Sequence, residues 1–284
     1  MFNRWASAEF STDWGTRIVS DRTSFYDPIS YHQGTVWPLY TGWVSLAEYR
    51  AGRTLSAYAH LRQNADLIWA QDLSSATELL SGQFFQPLGR STAHQLWSAA
   101  MIISPILRGL FGLEWNAARN ELSVTPSLPA DWDRAKLSNI PIGQQRVGVE
   151  IKRDSGMLVI RATGPAASQT HLKSRATGGK FANSTLQIPL PAVEVGITPD
   201  LPEAGSATQQ MKVLDEQSTT NSLTLRLAAP AGTKQTLWLR INSSQKSLRA
   251  VGVSIPDVNK PLQKLQIEFP PGTGYVEKQI SFNW

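Results

Sequence analysis

Between residues 109 and 126 the chain reads "GLFGLEWNAARNELSVTP", and the texture of the sequence changes there. Upstream, apolar residues recur at helical spacing. From about Asn116 they alternate with polar ones in short runs set between turn-formers. The runs are "ELSVTP", "RVGVEIKRD", "GMLVIRAT", "STLQIPL", "SLTLRLAA", "KQTLWLRIN", "AVGVSI", "LQKLQIEF" and "YVEKQISF". They predict eight to ten strands in an antiparallel β-sandwich, with "RDSGM" as a hairpin turn. The stretch 164–210 is richer in Gly, Ala, Ser and Pro, and its strand pattern is weak. At 284 residues the chain is long enough for two cores. The expected division is a helical part over 1–115 and a β-sandwich domain over 116–284, a multidomain α plus β fold.

Within the first part, residues 1–35 read as irregular, with turn-formers in "STDWG" and "YDPIS". A helix is expected from Val36 to Ala51, with Trp37, Tyr40, Val44 and Ala47 on one stripe. Pro38 would sit in its first turn and Gly52 just past its end. Thr54 is a plausible N-cap for a second helix, "LSAYAHLRQNADLIWAQDL", with Leu55, Tyr58, Leu61 and Ala65 on a common face. A third should start near Ser91 or Thr92, run through "AHQLWSAAMIISPILRGLFG" and kink at Pro105. Glu48 and Asp72, on helices, read as solvated or ion-paired. The loops themselves carry Trp, Phe and Tyr, which suits part of a larger helical array better than a self-contained bundle.

Composition narrows the function classes. The chain has no cysteine, which excludes disulfides, thiolate metal sites and thiol nucleophiles. The net charge of +5 comes from basic residues scattered singly through 116–284, not from a clustered face interleaved with aromatics, so no nucleic-acid partner is expected. No segment has the apolar length of a membrane span. The start, "MFNRWASAEF", lacks the apolar core of a signal peptide. The four histidines show no metal-binding spacing, so neither metal nor cofactor is expected. Aromatics are uneven: eight of ten Trp and five of six Tyr precede residue 133. Rigid amphipathic rings suit a binding surface as well as a core, and sugars stack on them.

Three polar-aromatic clusters adjoin the predicted helices: "STDWGTR" (11–17), "YHQGTVWP" (31–38), and "TELLSGQF" (77–84) with "HQLWSAA" (94–100). Such loops above a rigid scaffold commonly carry function. The run "YHQGTVWP", followed by "TELLSG" and then "HQLWSAA", resembles the C-terminal half of an (α/α)6-barrel glycoside hydrolase. The likeness is to the amylo-alpha-1,6-glucosidase (glycogen debranching) group, related to mannosylglycerate hydrolase-like and rhamnosidase-like enzymes. It covers about residues 10–115, and its first motif is the most specific.

That resemblance implies an inverting hydrolase of α-linked glycosides, in which one carboxyl group protonates the leaving oxygen and another activates water. Carried over, Glu78 would be the general base. Tyr31, His32, Gln33 and Trp37 would shape a sugar subsite, and Gln95 and Trp97 would match a Gln-x-Trp-Ser helix start. His94 departs from the small residue usual there, and Leu79-Leu80 from an aromatic before glycine. The acid would lie upstream of Met1; Asp13 and Asp21 are the only local substitutes, and Asp13 belongs to a different loop of the family pattern. The helices are fewer than a barrel needs, so the chain is expected to be a fragment, inactive alone. Its partners would be an oligosaccharide or glycoside and the missing N-terminal half of the barrel. A periplasmic or extracellular location would suit the full-length protein. The alternatives are a non-catalytic carbohydrate-binding or structural β-sandwich module with a helical remnant, and an interaction protein with no sugar role.

Overall fold

A computed structural model describes residues 1–70, 73–182, 185–242 and 248–284. Asp72 therefore lies outside the described residues. The helices are α1 (Phe2–Ala6), α2 (Pro38–Arg50), α3 (Thr54–Asp66) and α4 (Leu96–Pro105). The strands that follow are β1 (Leu113–Asn116), β2 (Glu121–Val124), β3 (Arg134–Ile142), β4 (Gln145–Asp154), β5 (Met157–Thr163), β6 (His171–Lys173), β7 (Lys180–Ala182) and β8 (Thr185–Pro189). Then come β9 (Val193–Gly196), β10 (Lys212–Ser218), β11 (Ser222–Pro230), β12 (Lys234–Ile241), β13 (Arg249–Val251), β14 (Leu262–Glu268) and β15 (Tyr275–Asn283).

The fold is mixed, with few helices and several antiparallel sheets. The sheet orders are β1-β2-β6, β3-β4-β5-β8-β7, β14-β12-β9 and β10-β11-β15-β13. All pairs are antiparallel except β2–β6, which is parallel. Alternation decides which face is covered. In β11, Leu223, Leu225 and Leu227 point inward, and β14 and β12 do the same with Leu265, Ile267, Leu237 and Leu239. The inward faces of the four sheets join one apolar cluster. The turn at "RDSGM" is the expected tight hairpin: Ser155 (φ 49°) and Gly156 (φ 78°) both adopt the left-handed conformation that a two-residue connection requires. The strands number more than expected. β3, β6, β7, β9 and β10 were not marked by alternation, and β1 starts at Leu113, ahead of the expected boundary.

In the helical part, α2 ends near the expected place, and Trp37 and Val44 of the predicted stripe are buried, whereas Tyr40 and Ala47 are not. Tyr40 is exposed, and the buried set is Pro38, Thr41, Gly42, Val44, Ser45 and Glu48. Gly42 is required by a close crossing: a Cβ there would lie 2.4 Å from the Cβ of Met101 on α4. Thr54 does not cap α3. Its hydroxyl donates to Glu216 Oε1 (2.8 Å), and the Leu55 N–H donates to Glu216 Oε2 (3.0 Å), so a carboxylate from β10 caps the helix. The helix stops at Asp66 rather than running on. The third helix begins at Leu96, not at Ser91, because Ser91 and Thr92 are engaged in holding a neighbouring loop. Pro105 ends the regular part of α4, and a wide π-type turn, Ile106–Leu110, follows. A proline leaves the carbonyl four residues earlier without its donor. That carbonyl, Met101, accepts instead from Asn64 Nδ2 on α3 (3.3 Å), which also donates to Pro38 O (2.7 Å).

The two parts are knitted together. Leu55, Tyr58, Leu61, Leu110 and Phe111 belong to the same apolar cluster as the sheets. Arg53 donates to the Leu214 carbonyl (2.8 Å) and pairs with Asp215 (3.2 Å). Among the described residues no helix is long and apolar enough to cross a membrane.

Candidate functional site

Three loops meet at the N-terminal ends of α2 and α4. The central one, residues 76–82, is pinned on both sides. On one side Val36 and Leu80 exchange backbone hydrogen bonds (2.9 and 3.0 Å). On the other, Glu78 N–H donates to Thr92 O (2.8 Å), Leu79 N–H to Ser91 Oγ (3.0 Å) and Gln95 N–H to Ala76 O (2.9 Å). This explains the late start of α4: residues 91–95 spend their polar groups on the neighbouring loop. Farther along, Gly82 crosses the 31–37 loop so closely that a Cβ would lie 1.9 Å from the Gly34 carbonyl oxygen. Any side chain at Gly82 would push the two loops apart. From below, Trp14 Nε1 donates to Ser81 O (2.8 Å) and Arg17 Nε to Gly82 O (2.6 Å).

The pinned loop presents one carboxylate. Glu78 is buried, and Tyr31 donates its hydroxyl hydrogen to Glu78 Oε1 while the Thr92 N–H points at Oε2 (3.3 Å). The hydrogen bond to Glu78 pushes the Tyr31 phenol up to about 12, with burial adding to it, so at neutral pH Tyr31 is a donor. Tyr31 stands edge-on to Trp37 (centroids 4.7 Å, 86°). Trp37 in turn lies parallel to His32 (5.9 Å, 13°) and near-parallel to Trp97 (6.3 Å, 29°). Its indole N–H donates to Thr35 Oγ1 (2.9 Å), itself donating to Tyr31 O (2.9 Å).

Compared with known protein families and with curated proteins, the chain matches none. Tyr31, His32, Trp37, Glu78 and Trp97 are brought into one connected group. Gln95 joins through its backbone at the head of α4, its side chain half-buried. Gln33 is exposed and turned to its own loop, accepting from Ser30 Oγ (3.1 Å). Thr92, whose amide faces the carboxylate, and Ser91 carried no such expectation; a Ser-Thr pair before a helical run reads equally well as a cap.

Asp13 does not reach this group. It is fully buried and paired with Lys212 of β10 (2.6 Å), and it accepts from Thr208 Oγ1 (2.7 Å), Gln209 N–H (2.6 Å) and Gln210 N–H (3.1 Å). Burial works to raise its pKa, but the Lys212 charge and these donors together bring it below the usual carboxylate range. A carboxylate held ionised cannot serve as a proton donor. Asp21 lies 3.8 Å from the Arg17 guanidinium, and burial raises its pKa. Glu48 is not solvated: it is fully buried, accepts from Ser56 Oγ (2.7 Å) and pairs with His60 Nδ1 (2.8 Å). Among the described residues no group of three or more His, Asp or Glu is placed to hold a metal. The chemistry open to the group is that of one carboxylate beside a phenol and an aromatic wall. It can accept a proton from a bound water or hydroxyl, and rings flank it for an apolar ligand face.

Proposed function

We propose that Glu78 is the general base of an inverting-type glycoside hydrolase acting on α-linked glycosides. In this reading the helices are the closing part of an (α/α)6 barrel, and the sheets after Asn116 are the β-sandwich that follows it. The observation that supports it best is the seating of Glu78: both carboxylate oxygens face donors, and its donor Tyr31 packs edge-on against Trp37, which lies near-parallel to Trp97. A base must be aimed at its proton, and two donors on its oxygens fix how the carboxylate is turned. The exposed Trp97, backed by the buried Trp37, offers a ring face that suits the C–H face of a sugar.

Inverting hydrolysis needs a second carboxyl group roughly 6.5–9.5 Å from the base, protonated at the start. The other carboxylates described before Glu78 in the chain are engaged: Asp13 with Lys212, Glu9 with Arg4 and Ser20, Asp21 beside Arg17, Asp27 with the Ile29 N–H, Glu48 with His60 and Asp66 with Arg62. The acid would thus come from further helices seated against α2 and α4, and the chain alone should bind without turning over.

The test separates binding from turnover. Tryptophan fluorescence should change on adding members of a panel of α-linked gluco- and rhamno-oligosaccharides, and the change should weaken at least about tenfold in Trp37→Ala. Hydrolysis by the isolated chain should be absent. Hydrolysis by the isolated chain that persists in Glu78→Gln, or no binding by any α-glycoside, would refute the assignment.

A further inference from the structure

The basic residues after Asn116 are scattered singly in the sequence, but strand register gathers six of them on one surface. In the sheet β3-β4-β5-β8-β7 one face is dry, with Val149, Ile151, Leu158, Ile160, Leu186 and Ile188 in the core. Alternation turns the residues between them to the other face. There Arg134, Lys152, Val159, Gln187 and Lys180 stand in register as one row across all five strands. The next row holds Lys136, Glu150 and Arg161, and Arg146 lies farther along β4 on the same side. All six cations are exposed. The face sets two carboxylates against them: Glu150, which pairs with Lys136 (2.7 Å), and Asp154 at the hairpin turn. Elsewhere in the β-rich part Lys173, Arg175, Arg226, Lys234 and Arg240 each pair with a carboxylate. Here Arg134, Arg146, Lys152, Arg161 and Lys180 have no ion-pair partner among the described residues. Arg134 and Lys152 are direct cross-strand neighbours, a like-charge arrangement that costs stability in the free chain. A groove of about 280 Å³, lined by Lys136, Ser138, Arg146 and Thr163, opens on the same side.

We infer that this face binds an acidic polysaccharide, a linear sugar chain carrying a carboxylate on successive residues, laid along the row from Arg134 to Lys180. Strands lie about 4.8 Å apart, so the row is about 19 Å long, and only an extended anion meets both its ends. Guanidinium forks suit carboxylates. Among the cations stand the neutral Gln187, Thr163 and Ser138, whose amide and hydroxyls can both donate to and accept from sugar hydroxyls. A single-stranded nucleic acid would need rings on which to stack its bases, and among the described residues this face has none. The nearby Phe181 stands in register with Leu186, on the opposite side. Duplex DNA admits a helix or a two-stranded ribbon into its major groove, not the face of a five-stranded sheet. A membrane surface would need apolar anchors, and the outward Met157 and Val159 are half-buried. These strands contribute nothing to the Glu78 group, so the face would act whatever that group binds.

Titration calorimetry on the full chain tests the inference with polygalacturonate, neutral dextran, single-stranded and duplex oligonucleotides of matched charge, and phosphatidylserine vesicles. Polygalacturonate should bind and dextran should not. The affinity for polygalacturonate should fall at least about tenfold between about 50 and 200 mM salt, as contacts made through several cations require. The triple variant Arg134→Gln, Lys152→Gln, Lys180→Gln should lose at least about tenfold in affinity. Its circular dichroism spectrum should be unchanged and its thermal midpoint no lower, since it relieves a like-charge pair. Lys173→Gln with Lys234→Gln, which removes two cations from other sheets, should leave binding intact. No binding of polygalacturonate, or binding that the triple variant keeps, would overturn the inference. So would an oligonucleotide or the vesicles binding as tightly as polygalacturonate, because the face would then read charge and not a sugar chain.

Discussion

In β11 and β12 the buried side chains are all apolar, among them Leu223, Leu225, Leu227, Leu237 and Leu239; in α2 and α3 the buried set mixes Leu55, Tyr58 and Leu61 with Thr41, Ser45, Glu48, His60, Gln63 and Asn64. The exposed residues invert as well, with Lys234 and Glu268 paired outside the sheets and Tyr40, Trp43, Leu96 and Ile103 outside the helices. The sheets thus draw stability from area removed from water, at about 25 cal/mol per Å² of apolar surface. The helices add to the apolar contacts of Leu55, Tyr58 and Leu61 a set of specific hydrogen bonds, such as Ser45 Oγ to Ala57 O (2.8 Å), Gln63 Nε2 to Thr12 O (2.8 Å) and the Thr16 N–H to Thr41 Oγ1 (2.8 Å). A buried hydrogen bond adds only about 1 kcal/mol net, but it fixes position. The helical part is therefore built for placement, which a site needs, and the β-rich part for burial.

The joint between the two regions should give the largest effect. Lys212→Met leaves Asp13 charged, buried and unpaired, which costs about 3–5 kcal/mol, measurable as a lowered urea midpoint. Asp13→Asn in the same background should recover part of the loss. The pair also predicts a pH dependence. Asp13 has a folded pKa below its unfolded value, so its contribution is complete above the ordinary carboxylate pKa and is lost as pH falls through the lowered folded value. Asp13→Asn should flatten that acid limb; an unchanged limb would place the pH dependence elsewhere. Next in size, Leu237→Ala in the sheets should cost about 2–5 kcal/mol through transfer and cavity terms. If thermal unfolding showed less than the effect of an exposed helix residue, the contrast between the regions would collapse.

The same contrast explains what could be read beforehand. Alternation located β4, β5, β11, β12, β14 and β15 because each has one wet face and one dry face. It missed β6, β7 and β9, which are short strands in Gly- and Ser-rich sequence, and β3, whose mixed exposure along "RAKLSNIPI" hides the period. The helices were legible from their spacing, and in α3 so was the orientation, since Leu55, Tyr58 and Leu61 are buried as expected. In α2 the expected stripe is split: Trp37 and Val44 are buried, Tyr40 faces out, and the polar Thr41, Ser45 and Glu48 face in. For the site, motif resemblance brought Tyr31, His32, Trp37, Glu78 and Trp97 to attention. The Tyr31–Glu78 hydrogen bond spans 47 residues and has no local signal.

That bond gives a smaller prediction with a spectroscopic handle. The Tyr31 phenol should ionise near pH 12, seen as the difference in ultraviolet titration between the native chain and Tyr31→Phe. In Glu78→Gln the same transition should fall toward about 10, the ordinary tyrosine value. The raised pKa means the interaction stabilises fully below about pH 10 and fades as pH rises through 12. Tyr31→Phe should cost no more than about 1 kcal/mol at neutral pH. A transition that stays put in Glu78→Gln would break the proposed seating of the carboxylate.

The smallest expected effect is the sharpest comparison. Ile103→Ala removes as much side chain as many damaging core truncations, yet Ile103 is 55% exposed on α4. Its effect on thermal stability should stay within about 0.5 kcal/mol, the range of ordinary surface changes. The same substitution should increase solubility, because it trims an unpartnered apolar face. A loss comparable to that of Leu237→Ala would mean that Ile103 is covered in solution. The outward stripe of α4 would then be a core position of an assembly that forms without any added helix.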